Sequence, residues 1–288
     1  MVTLLCTVRG CGEPLARGER SYACPRGHSF DVARSGYVNL LQPQDRRSPQ
    51  AGDSPVAVGA RQRFLAAGHE APFVQALLAT VAALGLPSRP AILDVGCGTG
   101  FHLGEVAAAL AGSGGAEAHG TDLSVPAIEL AAKWHPEAFF VVANADRFLP
   151  YTAGSFDLAL SLTSRRNGPE LQRVLAPGGA LLVAVPGPDD LVELREAVLG
   201  QRVRRDRVEA VVEALGEGFT LAGRRNVRWS ADLDAAALRD ALASTYRGAR
   251  ARERERAAGL SGLAVTMSRE LLVLRSRAGS GRVAVPPA

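Results

Sequence analysis

From Ala91 onward the chain alternates between short apolar runs and segments whose apolar residues recur every three or four positions. The runs AILDV, AEAHGTD, AFFVVANA, FDLALSL and GGALLVAV read as buried strands, with FHLGEVAAALA and SVPAIELAAKW as helices between the first of them. Ser124 stands where the second of these helices needs an N-cap. Strands alternating with helices predict an α/β fold with a doubly wound, mostly parallel sheet. Further on, FTLAGRRNVRW and LAVTMSRELLVLRS predict two more strands, with a helix over 232–245 between them, forming an antiparallel hairpin at one edge. The expected sheet therefore has seven strands. Two helical patterns, PVAVGARQRFLAAG and APFVQALLATVAALGL, lead into it.

Upstream the pattern changes. Residues 1–34 hold short β-like pieces broken by Gly and Pro, with too few apolar residues for a core of their own. Modules this small generally need a metal or disulfides. Residues 35–71 read as a linker and helix, 72–277 as the main domain, and 278–288 as a frayed tail. The stretch RGARARERER reads as a solvated helix face or loop.

Composition narrows the class without naming a function. Of 288 residues, 47% are hydrophobic and 22% charged, which is ordinary globular usage and argues against disorder. No apolar run reaches the roughly 20 residues a membrane helix needs, and the N-terminus lacks a signal-peptide pattern, so a cytoplasmic protein with no membrane partner is expected. The net charge is +4, and residues 1–70 carry nine Arg against six Asp plus Glu, so +3 of it lies in the first quarter. Lys133 is the only lysine; so general an Arg bias reads as a genome-wide preference, and no single Arg cluster is decisive.

Three of the four cysteines and a histidine fall in the sparse N-terminal segment, as Cys6-x4-Cys11-x12-Cys24-x3-His28. In a cytosolic protein this clustering points to metal rather than disulfides. Two close pairs separated by a short hairpin can close a tetrahedron around Zn²⁺, and four protein ligands leave no open position, so the expected metal is structural.

LDVGCGTG places Gly96, Gly98 and Gly100 where a strand gives way to a helix, letting the backbone turn tightly and approach a ligand. Asp94 precedes the loop; a carboxylate there suits a cationic amino-acid ligand and not a pyrophosphate. Asp122 ends the next strand, where an acid accepts from ribose hydroxyls. Asn144, Ala145 and Asp146 end the third, within reach of an adenine edge. Together with LAPGG, these elements resemble the class I S-adenosylmethionine-dependent methyltransferases over about residues 72–277.

The whole chain, with HSFDVARSGYVNLL after the Cys/His cluster, then GDS, ARQRFLAAGH and VPGPDDLVEL, resembles the 23S ribosomal RNA (guanine-N1)-methyltransferase family, housekeeping and macrolide-resistance types included. The resemblance implies methyl transfer from S-adenosylmethionine to a guanine in a hairpin near the peptide exit tunnel, a zinc module that helps read the RNA, and a homodimer whose cleft embraces the hairpin. It adds His69, Glu70 and Asp190 to a cofactor set that also takes in Thr99, His102 and Leu123. Glu70 departs from the aromatic residue common at its position, Asp190 from a His found in relatives, and SLTSRRNGPE from an aromatic-Ala-Pro string.

Ser161, Thr163, Ser164 and Asn167 follow the fourth strand of the main domain as candidate polar contacts over the methyl group, and Arg165 or Arg166 as stabilisers of a developing oxyanion. Each also reads as an ordinary loop residue. Arg34, Tyr37, Asn39, Arg46 and Arg47 are the candidate RNA contacts, through backbone charge and a stacking tyrosine. A core aromatic is the other reading of Tyr37, and a solvated loop that of Arg46 and Arg47. Two other functions stay open: a small-molecule methyltransferase with the zinc module as a lid, and a non-catalytic RNA- and cofactor-binding resistance factor.

Overall fold

The computed structural model describes residues 2–45, 52–162, 164–200, 202, 204, 206–245, 255–256 and 259–277. Arg46, Arg47, Thr163, the 278–288 tail and most of the RGARARERER stretch lie outside the described residues.

Five of the predicted strands run parallel: β5 (Ala91–Val95), β6 (Glu117–Asp122), β7 (Phe139–Val142), β8 (Phe156–Leu162) and β9 (Leu175–Pro186). Leu158, Ala159 and Leu160 are fully buried, as a parallel strand covered on both faces requires. β10 (Phe219–Asp234) and β11 (Gly262–Ser276) form the expected antiparallel hairpin, with β11 beside β9. One strand was not anticipated. β4 (Val38–Asn39), from the GYVNLL string, pairs parallel with β7 and brings the sheet to eight, in the order β10-β11-β9-β8-β5-β6-β7-β4. Seven were expected because a two-residue strand carries no periodicity of its own.

The helices over α1 (Pro55–Ala66), α2 (Ala71–Ala82), α3 (Phe101–Leu110), α4 (Val125–Trp134) and α8 (Ala235–Thr245) follow the sequence pattern. Ser124 caps α4, accepting from the Ala127 N–H at 3.4 Å. Three short helices, α5 (Gly168–Val174), α6 (Val192–Leu199) and α7 (Val208–Leu215), were not anticipated.

The N-terminal segment forms a small antiparallel sheet of β1 (Ala16–Arg17), β2 (Ser21–Ala23) and β3 (Ser29–Asp31). Its few apolar side chains, Leu4, Leu15 and Tyr22, join Val38, Leu40, Tyr151 and Phe156 in one buried cluster. Leu5 N–H donates to the Pro150 carbonyl at 3.0 Å, so backbone pairing adds to this packing. At the opposite edge, β11 pairs with β9 only over Arg269–Arg275, while its pairing with β10 runs on to Gly262. The overhanging ribbon, with Phe64 of α1, Leu194 of α6 and Leu238 of α8, builds a separate apolar cluster.

Candidate metal centre and cofactor site

Two backbone knuckles bring the N-terminal ligands together. Cys11 N–H donates to the Val8 carbonyl at 2.9 Å, and Gly27 N–H to the Cys24 carbonyl at 3.0 Å, folding each pair back on itself. The donor atoms of Cys6, Cys11, Cys24 and His28 all lie within 4.8 Å of one another. His28 Nδ1 stands 3.4 Å from the sulfurs of Cys6 and Cys24, and Cys11 Sγ 3.8 Å from Cys24 Sγ. Zn–S bonds of ~2.3 Å give a tetrahedron with edges of about 3.8 Å, so the spacing fits a four-coordinate zinc with no open position.

The second site lies at the carboxyl ends of β5, β6 and β7. Gly96 has φ 75°, and a Cβ there would stand 2.4 Å from Ser164 Cβ, so the loop needs glycine both for its turn and for its neighbour. Asp122 closes the loop: its carboxylate accepts from Gly98 N–H at 3.0 Å and from Ser124 N–H at 2.8 Å. Burial raises the Asp122 carboxyl above its usual range, against the pull of those amides. Asp94 is 2% exposed and its Oδ1 has no hydrogen-bond partner. Burial, with the charge of Asp122, pushes Asp94 up to about 8. A buried acid with an orphaned oxygen lacks a cation, which is what an amino-acid ligand's ammonium supplies. The residues present therefore fit S-adenosylmethionine.

Thr99 is buried and donates to Gln62 Oε1 at 2.9 Å, tying the glycine loop to α1. Glu70, His102 and Asp190 are drawn together by a residue the sequence reading missed. Arg269 reaches Glu70 Oε1 at 3.1 Å and Asp190 Oδ1 at 2.5 Å, while Arg61 grips both Glu70 oxygens at 3.0 and 3.1 Å. His102 Nε2 lies 3.4 Å from Glu70 Oε2. Burial alone would raise the Glu70 carboxyl, but the charges of Arg61 and Arg269, with His102, hold it well below its usual range. The missed signal was Arg269–Glu270, a charged pair inside an apolar strand pattern, and both side chains are buried. His69 stacks on Phe64 at 4.8 Å and its carbonyl accepts from Trp229 Nε1 at 2.9 Å. Leu123 packs into the core beside α4.

Asn144 donates from Nδ2 to the Asp45 carbonyl at 3.1 Å and accepts the Asp146 N–H at 3.1 Å, while Ala145 packs on the core. Ser161 is fully buried and bonds Ser164 at 2.9 Å, and Ser164 donates to the Val95 carbonyl at 2.7 Å. Asn167 caps α5 through Glu170 N–H and donates to the Asp146 carbonyl at 3.0 Å. These three side chains hold the segment after β8 against the cofactor loop.

Comparison with known proteins agrees with this geometry. A zinc-ribbon family model described as "RlmA, N-terminal" matches residues 5–49, and one described as "Methyltransferase domain" matches residues 92–179. A Streptomyces fradiae protein named 23S rRNA (guanine(748)-N(1))-methyltransferase is 39% identical over 229 residues, covering 79% of this chain and 80% of that one. The chain belongs to the 23S ribosomal RNA (guanine-N1)-methyltransferase family. A second member, a putative 23S rRNA (guanine-N(1)-)-methyltransferase of Micromonospora griseorubida, is 39% identical over 76% of this chain and 78% of its own. Among solved structures, the YcgJ protein of Bacillus subtilis superposes with a TM-score of 0.51 at 16% identity, covering 72% of this chain and 98% of that one, a likeness of fold alone. Like its family, the chain is an S-adenosylmethionine-dependent methyltransferase with a structural zinc.

Of the RNA candidates, the described ones, Arg34, Tyr37 and Asn39, lie in or just before the edge strand β4. Arg34 is exposed, Tyr37 half-buried against the α4 side of the core, and Asn39 sits in β4 with its Oδ1 accepting from Leu41 N–H at 3.1 Å. Burial raises the Tyr37 hydroxyl above its usual range. No helix among the described residues is long and apolar enough to cross a membrane.

Proposed function

We propose that the protein methylates N1 of a guanine in 23S ribosomal RNA, in a hairpin near the peptide exit tunnel, acting in the cytoplasm as a homodimer. The observation that carries the reading is the 39% identity, over four-fifths of its length, to the Streptomyces fradiae enzyme whose name specifies that atom. The geometry supports it. Asp94 offers its unpartnered oxygen to the cofactor's ammonium group, and Glu70, His102 and Asp190 remain proposed members of the cofactor set. A carboxylate has about four acceptor positions, so Asp122 keeps capacity for ribose hydroxyls beyond its two amide contacts. Asn144 to Asp146, which follow β7, are the proposed contacts to the adenine. The division into a zinc module over 1–34, a linker and helix over 35–71 and a catalytic domain over 72–277 belongs to the same reading, with Arg34, Tyr37 and Asn39 toward the RNA.

S-adenosylmethionine, when bound, supplies an electrophilic methyl group. The chain's task is to align guanine N1 with it and to manage the N1 proton. N1 lies on the pairing edge, so the base must be unpaired or flipped out.

A methyl at N1 blocks reverse transcription, whereas one on a ribose hydroxyl does not. RNA from cells with and without the gene should differ by one new stop at a guanine, with N1-methylguanosine in nucleoside mass spectrometry. The stop should vanish with Asp94→Ala. Cofactor binding without either signal would sink the reading.

A further inference from the structure

We propose that Arg166 binds O6 of the target guanine and holds the negative charge that gathers there when N1 loses its proton. This rests on the ribosomal RNA guanine reading above and names the group that activates its nucleophile.

The segment 164–167 is pinned at both ends. Ser164 lies against Gly96 and donates to the Val95 carbonyl at 2.7 Å; Asn167 is tied to the Asp146 carbonyl at 3.0 Å. Between these anchors the two arginines part. Arg165 turns out to solvent, 78% exposed, with Asp146 3.5 Å away. Arg166 turns inward and donates one N–H to the Ala184 carbonyl of β9 at 3.3 Å. Its Nε is cut off from solvent and has no acceptor. Among the described residues no carboxylate forms an ion pair with it, and burial alone lowers its pKa below the usual arginine value. Arg166 nevertheless opens onto a cleft of about 620 Å³ lined also by Asp146, Arg165 and Asn167.

A half-buried cation that opens onto this cleft with no carboxylate partner among the described residues, two residues from a serine that touches the cofactor loop, is arranged for an anion that forms only during reaction. A phosphate, charged throughout, is better met by a solvent-facing fork such as Arg165. Guanine O6 is neutral until N1 is deprotonated. The N1 proton leaves to water in the open cleft, and the charge spreads to O6 opposite Arg166. The N1 lone pair then forms the N–C bond as the methyl carbon's bond to sulfur breaks. That bonding pair stays on sulfur, and O6 returns to a neutral carbonyl.

Single-turnover methyl transfer to 23S ribosomal RNA from cells lacking the gene, at saturating cofactor and across pH, tests this with wild type, Arg166→Met, Arg166→Lys and Arg165→Met. Arg166→Met should be about 10²- to 10³-fold slower near neutrality, and its rate should keep rising to higher pH than wild type, because the anion must form unaided. Arg166→Lys should fall between, and Arg165→Met should keep the wild-type profile shape. Cofactor affinity by calorimetry should match wild type in all three variants. A uniform loss at every pH, weakened RNA binding with an unchanged profile, or wild-type rates in Arg166→Met would overturn the assignment. Should Arg166→Met fail to bind cofactor, Arg166→Lys decides alone: an unshifted profile overturns it. A wild type that makes no N1-methylguanosine is a different failure, that of the ribosomal RNA reading itself.

Discussion

Arg269 donates to Glu70 across 199 positions of sequence, at 3.1 Å, with both side chains buried. The same guanidinium holds Asp190, and Arg61 holds Glu70 from the other side, so two cations face two anions. The acid at position 70, which departs from the aromatic residue common there in the family the sequence resembles, is thus matched by charge. Breaking such a set at one member leaves a buried charge uncompensated, which typically costs about 3–5 kcal/mol. Arg269→Met should lower unfolding stability in that range by denaturant titration. The double variant Arg269→Met with Asp190→Asn should recover part of it. Equal stability in all three proteins would mean that solvent reaches the cluster.

The same cluster sets a sign for acid. Glu70 has a folded pKa well below its ordinary 4.5, so it adds stability above that value, and the contribution is lost as pH falls through the folded pKa. The difference in melting temperature between wild type and Glu70→Gln should be constant from neutrality to about pH 5 and shrink below it. A difference that grows in acid would contradict the ion pairs.

Zinc should be present at one per chain and fall sharply in Cys24→Ser. Structural zinc contributes on the order of 10 kcal/mol to folding of its site, and here the site also supports β4 and the Leu5–Pro150 contact. Hydrogen exchange at Leu5 and Leu40 amides should therefore rise in Cys24→Ser, while β5 and β8 keep their protection. Equal zinc in both proteins would remove Cys24 as a ligand.

Asp94, pushed up to about 8, is protonated near neutrality until a cation arrives. Cofactor binding should therefore release protons at pH 7, approaching one per site, detectable by calorimetry in buffers of different ionisation enthalpy. Asp94→Asn should abolish the release. Asp122→Ala should reduce the release, because the Asp122 charge helps to raise Asp94, and weaken binding by roughly ten- to a hundredfold, the worth of a charge-assisted acceptor at about 1.5–3 kcal/mol. No proton release in wild type would mean that Asp94 is already ionised.

The sequence by itself determined whatever near neighbours carry. Buried strands show as apolar runs, the cap at Ser124 as one residue, and the metal ligands as two short spacings whose knuckles need only local turns. The glycine loop and its acids were legible for the same reason: each sits at the end of its own strand. Tertiary packing decided the rest. The partner of Glu70 comes from β11, and nothing local in either segment specifies the other. A two-residue strand becomes visible only when β7 supplies its hydrogen bonds. Arg165 and Arg166 are chemically identical in the sequence; only the anchoring of Ser164 and Asn167 turns one to solvent and the other into the protein.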